Sequence, residues 1–141
     1  MNCRFAVVVL LPAVFMVACG RLEENKPEGT WIGQSAVEGG KAGGFRETWT
    51  FKDGKFTVDD GDGAEYIYQV DATKEPKQID IMRGAAAADG KGLMGIYKIE
   101  QDTLTICHLI KSKAKADAKR PEEFDAMRRD DVVVLTFRKK K

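Results

Sequence analysis

Two short segments joined by an Asp-Gly pair constrain the fold of this chain more than any other feature. Residues 48–52 and 55–58 alternate between apolar and polar side chains, and Asp53-Gly54 lies between them. Asp-Gly readily takes the positive φ angles of a type I′ turn, so the pattern predicts a β-hairpin. The alternation turns one set of side chains inward, namely Trp49, Phe51, Phe56 and Val58.

Other segments of the chain repeat this period of two, and their spacing of about ten residues is typical of an antiparallel barrel or sandwich. A meander that closes on itself leaves no strand edge unpaired. We therefore predict an all-β fold built on an antiparallel eight-stranded barrel. The predicted strands are 30–37, 48–52, 55–58, 65–70, 78–83, 93–100, 103–110 and 131–138.

The first residues read as a targeting segment. Arg4 precedes an apolar run at 5–17 that is shorter than the roughly 20 residues of a membrane span. The run leads into Met-Val-Ala-Cys-Gly at 16–20, which fits a bacterial lipobox with Cys19 as the lipid-attachment residue. Cleavage after Gly20 for ordinary secretion and a retained hydrophobic N-terminus are the two alternatives.

These signals predict the organisation of the whole chain. We expect a lipoprotein signal peptide at 1–18, a tether at 19–28 and a single β-barrel domain at 29–141. The protein is then lipid-anchored to the cell envelope on the extracytoplasmic side, or secreted. Since Cys3 is removed with the signal, Cys107 has no partner for a disulfide.

The charge balance and the scarcity of ligating residues exclude several kinds of function. The chain has 23 basic and 22 acidic side chains, whereas a nucleic-acid binder shows a clear basic excess. A single histidine and three cysteines leave little for a metal site, and we predict neither a metal nor a cofactor. Two basic runs, 111–120 and 138–141, are either solvated segments or patches for an anionic surface.

Three motifs resemble known functional motifs, but none of them meets the orientation or spacing that the corresponding site requires. Cys107 and His108 are neighbours on a predicted strand, so their side chains point to opposite faces and cannot act as a nucleophile–base pair. The acidic turn 59–63 fails the spacing of a calcium loop, because Ala64 stands where the third ligand belongs. The glycine-rich run 39–44 lacks the ending of a phosphate loop and is interpreted as a flexible loop. We therefore predict no catalytic residue.

The long connection before the last strand carries a second structural prediction. Pro121 favours a short helix or a turn, in which Phe124 and Met127 pack one face onto the barrel. Arg120 is placed to bond a carbonyl or to stack on a ring such as Trp31. We expect a structural latch over one barrel end, with a ligand-gating lid as the alternative.

Two resemblances extend this interpretation. Gly29-Thr30-Trp31 is similar to the Gly-x-Trp opening of lipocalins, where the tryptophan closes one end of an eight-stranded barrel and the fold often holds a small apolar ligand. The chain also resembles an uncharacterised extracytoplasmic domain family abundant in planctomycete bacteria, which implies a secreted or lipid-anchored domain and no known activity. This second resemblance rests on Gly29-Thr30-Trp31, the stretches 76–80 and 95–107, and Arg120-Pro121 with Phe124.

We expect a monomeric, non-enzymatic, lipid-anchored domain that binds a small apolar ligand or an envelope protein. The alternative is a structural or assembly module whose barrel is filled and holds no ligand; an enzyme using a carboxylate pair on the barrel rim comes third. The residues predicted to carry the structure are Trp31, Trp49, Arg120, Pro121 and Phe124.

Overall fold

The computed structural model describes residues 25–83 and 92–141, so the predicted signal peptide and Cys19 lie outside the described residues. Within these ranges the chain forms strands and turns, with no helix. The strands are β1 (Gly29–Glu38), β2 (Lys41–Gly44), β3 (Thr48–Lys52), β4 (Lys55–Val58), β5 (Glu65–Asp71), β6 (Lys77–Arg83), β7 (Leu93–Glu100), β8 (Thr103–Leu109) and β9 (Val132–Lys139).

The strands form one closed antiparallel barrel, which confirms the predicted fold. From β3 to β9 each strand pairs with the next along the chain, and β1 joins the two ends by pairing with β3 on one side and β9 on the other. The register between β1 and β9 shifts between Gly33 and Ser35, which leaves one extra residue in β1 as a bulge. Eight strands thus close the barrel, and β2 adds a ninth beside the second half of β1.

The glycine-rich run 39–44 is an ordered hairpin, so its interpretation as a flexible loop is wrong. Gly39 and Gly40 have φ angles of 54° and 76°, the left-handed region that a type I′ turn needs at both central residues. This turn directs β2 back along β1, where Glu38 pairs with Lys41. Glycine has a low strand propensity, so the glycine-rich sequence of β2 does not predict a strand. The strand forms because its backbone pairs with β1.

The Asp-Gly hairpin forms as predicted. Asp53 and Gly54 have φ angles of 52° and 79°, and the flanking strands pair Phe51 with Phe56. The predicted inward residues of this hairpin are at most 7% exposed.

Two separate apolar clusters lie on the two faces of the barrel wall. The inner cluster fills the barrel and contains the large rings of Trp31, Trp49, Phe51, Phe56, Tyr68, Tyr97 and Phe137. The second cluster uses side chains of the opposite parity on the last strands, so it lies on the outer face of the wall. Its buried members are Ile96, Cys107, Leu109, Ala126 and Val132.

A strap formed by residues 110–131 covers this outer cluster. Within the strap, Pro121 and Ala126 are buried, and Phe124 is half-buried against the same cluster. The strap therefore lies along the outer wall, and the prediction of a latch over one barrel end is wrong. The connection before β9 contains turns at 111–113, 116–117 and 130–131 and bends at 122–124 and 127–128, so the predicted turn is present and no helix forms. Met127 is 68% exposed, so it does not share a packed face with Phe124.

The packed domain includes residues assigned by sequence to the tether. Pro27 is fully buried, and the indole nitrogen of Trp31 donates a hydrogen bond to its carbonyl at 2.8 Å. All nine strands, both clusters and this segment follow residue 24. A chain beginning at Gly20 thus contains the complete barrel with its own core.

Candidate functional site

The barrel interior, where a lipocalin-like carrier would hold its ligand, is occupied by stacked aromatic rings. Phe56 lies at the centre of the stack, with ring centroids 4.8 Å from both Trp49 and Tyr66. Phe51 adds a further stacked contact with Phe56 at 4.9 Å. These distances are those of direct ring contact. The large rings predicted to point inward therefore fill the interior themselves.

One end of the barrel is closed by residues 25–28, which precede β1. Beside the Trp31 bond to Pro27, Tyr68 donates a hydrogen bond from its hydroxyl to Glu28 Oε1 at 2.7 Å. Tyr97 donates from its hydroxyl to the carbonyl oxygen of Asn25. Three inward rings thus hold this segment across the barrel end, which we call the N-terminal end.

Burial of the two tyrosines changes their acid–base behaviour. Removal from water raises the pKa of Tyr97 to about 12, with Asp71 adding to the effect. The pKa of Tyr68 is also raised, first by burial and then by its hydrogen bond to Glu28. Both hydroxyls therefore stay protonated near neutral pH and act as hydrogen-bond donors, not as bases.

Phe45 packs into the interior toward the opposite end, and no sequence pattern predicts its inward position. Its ring packs edge-on against Phe137 and Trp49, at centroid distances of 5.3 and 6.2 Å. A Cβ at Gly33 would come within 2.4 Å of this ring, so the glycine makes room for it. Phe45 stands in the irregular link between β2 and β3, where no alternation marks its direction.

Cys107 and His108 lie on opposite faces of β8, as neighbours on a strand do. The Cys107 thiol is buried in the outer cluster, and this burial raises its pKa to about 11. His108 is half-buried, with Nδ1 2.8 Å from the carbonyl oxygen of Leu109, and its pKa is lowered because burial disfavours the charged ring. A protonated thiol facing away from the imidazole is not an activated nucleophile.

The acidic turn 59–63 is a local hydrogen-bonded structure. The backbone nitrogen of Asp62 donates to Asp60 Oδ1 at 3.0 Å, the geometry of an Asx turn. Across residues 25–83 and 92–141, no group of three or more histidine, cysteine or carboxylate side chains is arranged to hold a metal ion.

Arg120 joins the strap to the barrel wall. Its guanidinium donates to the carbonyl oxygens of Gly95 and Ile79, at 2.7 and 3.2 Å. A second nitrogen lies 2.8 Å from Asp80 Oδ1 in a half-buried ion pair. Arg120 therefore bonds a carbonyl, which is one of its two predicted partners. The cation over the Trp31 ring is instead Lys139, at 5.5 Å from the centroid.

A second arginine fixes the end of the strap. Arg129 forms a two-point ion pair with Asp131, at 2.8 and 2.7 Å, and also donates to the carbonyl oxygen of Lys119. This pairing lowers the pKa of the Asp131 carboxyl. The strap is thus held by directed polar contacts at two places.

Two grooves lie beside the strap and share the residues 119–123. One has a volume of about 380 Å³ and extends to Asp125, Arg128 and Arg129. The other has a volume of about 630 Å³ and extends to Glu75, Pro76, Gln78 and Ile96. Both present charges of both signs, an arrangement suited to a polar partner surface. We take these grooves as the candidate functional site.

The sequence did contain a signal for the covered outer wall. Strands β8 and β9, with the sequences TLTICHL and VVVLTFRK, carry apolar residues on both faces. A strand that is apolar on both faces is typical of a sheet covered on both sides. The continuous runs could therefore have predicted the outer cluster, although not the path of the strap.

No family model, no curated protein and no solved structure matches the chain. The described residues also contain no helix long and apolar enough to cross a membrane.

Proposed function

We propose that the chain is a monomeric, non-enzymatic, lipid-anchored domain of the cell envelope that binds a protein partner through its outer wall. The observation that supports a surface function is the aromatic stack around Phe56, because it occupies the space that a carried ligand would need. Residues 25–28 close one end of the same barrel. The grooves beside the strap offer the partner polar groups on a wall braced by Arg120.

The proposed anchor is Cys19, and it rests on the lipobox-like segment at 16–20. In cells fed labelled palmitate, we expect the protein to carry the label. Cys19→Ala removes the acceptor thiol and should abolish labelling. Cys3→Ala is the matched control and should keep it, because Cys3 lies in the part removed with the signal. Equal labelling of the two variants, or none in the parent, contradicts the anchor.

Two experiments distinguish partner binding on the outer wall from binding of an apolar ligand inside the barrel, and the first uses the chain beginning at Gly20. An apolar fluorescent dye such as 1-anilinonaphthalene-8-sulfonate should show no saturable one-to-one binding, since a dye must displace packed rings. In cells producing the full-length chain, a photoreactive residue at Glu122 should cross-link one discrete envelope protein, and the same residue at Lys52, exposed on β3, should not. Stoichiometric dye binding that quenches the tryptophans would instead support an enclosed apolar ligand.

A further inference from the structure

We propose that the basic residues 138–141 dock on the surface of an anionic lipid bilayer and turn the N-terminal end of the barrel toward it. This inference rests on the proposed envelope location, and it adds an orientation that a lipid anchor alone does not fix. We call residues 138–141 the basic tail.

The basic tail lies at the same barrel end as the start of the described chain. Trp31 pairs with Lys139 across β1 and β9, and the backbone nitrogen of Lys140 donates to the carbonyl oxygen of Thr30 at 2.9 Å. The same Trp31 holds Pro27. Both ends of the domain therefore emerge at the N-terminal end.

The distance from this end to the proposed lipid is short. Cys19 precedes Asn25 by six residues. An extended chain spans at most about 3.5 Å per residue, so the lipid lies within roughly 20 Å of the barrel end. A bilayer that holds the lipid is then close to the basic tail.

The basic tail presents its charges from a fixed backbone. Lys139 is the last residue of β9, and its backbone nitrogen donates to the carbonyl oxygen of Asp102 at 2.8 Å. All four side chains from Arg138 to Lys141 are exposed. Within residues 25–83 and 92–141, no carboxylate forms a salt bridge with any of the four. The charges of Arg138, Lys140 and Lys141 are thus free to meet an external anion, whereas Lys139 lies over the Trp31 ring.

Basic side chains outnumber acidic ones at the N-terminal end, whereas the two signs are mixed at the opposite end. The N-terminal end adds Lys26 and Lys74 to the basic tail, against the acidic residues Glu28, Asp53, Glu75 and Asp102. The opposite end combines the acidic turn 59–63 after β4 with exposed basic residues such as Lys41, Arg46 and Lys111. A lysine or arginine near an anionic bilayer contributes about 1 kcal/mol of attraction, so this asymmetry favours one orientation.

The test uses the unlipidated chain beginning at Gly20 and phosphatidylcholine vesicles with or without phosphatidylglycerol. Co-sedimentation should occur with the anionic vesicles and weaken as salt rises. Lys140→Gln with Lys141→Gln should lower the partition coefficient by about 10- to 30-fold, from about 1 kcal/mol per charge.

A matched pair at the opposite end separates orientation from net charge. Lys41→Gln with Lys111→Gln removes the same charge from two exposed lysines there and should change the partition coefficient by less than about threefold. Equal losses for the two pairs, or no binding to anionic vesicles, overturn the proposal. Palmitate labelling depends on Cys19 and not on the basic tail, so the failure of the anchor and the failure of this docking are seen separately.

Discussion

Trp31→Ala should cost about 3–5 kcal/mol of folding free energy, close to the whole stability of a marginal domain of this size. Trp31 is 1% exposed, and its indole nitrogen holds the carbonyl of Pro27 at 2.8 Å. The substitution therefore leaves a cavity and also releases the segment that closes the barrel end. Urea unfolding of the chain beginning at Gly20 measures the loss as a lower midpoint with an unchanged slope.

Two further variants separate the causes of this loss. Trp31→Phe keeps most of the ring but loses the bond to Pro27, and it should cost about 1–2 kcal/mol. Trp49→Ala removes a ring stacked 4.8 Å from Phe56 and should cost as much as Trp31→Ala. If Trp31→Ala unfolds at the same urea concentration as Trp31→Phe, burial of the ring contributes little to the stability of the domain.

The strands could be predicted because the barrel wall has one wet and one packed face over most of its extent. Apolar and polar side chains therefore alternate along each strand, and the Asp53-Gly54 turn sets the register of the hairpin around it. Trp49 and Phe56 follow from the alternation alone. The closing pair of β1 with β9 also follows, once eight strands of similar length must leave no free edge.

The features that the sequence did not predict are those decided by tertiary contact. Phe45 lies in an irregular link, so its inward direction is set by the room that Gly33 leaves. The strap has no period of its own, and Arg120 determines its path by bonding two carbonyls on the wall. Met127 has the spacing of a packed residue but lies 68% exposed, because the chain around it forms bends in place of a helix.

Arg120 is expected to hold the strap, and Arg120→Ala should cost about 2 kcal/mol. Bonds from a charged donor contribute about 1.5–3 kcal/mol each when buried, and the half-exposed position of Asp80 reduces the contribution of the ion pair. The substitution also removes Arg120 Nη1, the donor that the carbonyl oxygens of Gly95 and Ile79 share.

Arg128→Ala is the matched control for this prediction. Arg128 belongs to the same strap, but its side chain is 88% exposed and only 4.0 Å from Asp125, so its loss should change stability by less than about 0.5 kcal/mol. Arg120→Lys keeps the charge but cannot reach two carbonyls and a carboxylate at once, so it should fall between the two alanine variants.

Hydrogen exchange locates the effect of Arg120→Ala in the strap. Ala114 and Ala118 donate backbone hydrogen bonds within it, and both amides should exchange faster than in the parent protein, while amides of the Asp-Gly hairpin should change less. Arg120 holds the strap against β6 and β7, whereas Arg129 holds its last turn through Asp131. Loosening confined to the strap would show that the outer cluster can open without the barrel. Equal stability of Arg120→Ala and Arg128→Ala would instead mean that the buried Pro121 and Ala126 hold the strap by packing alone.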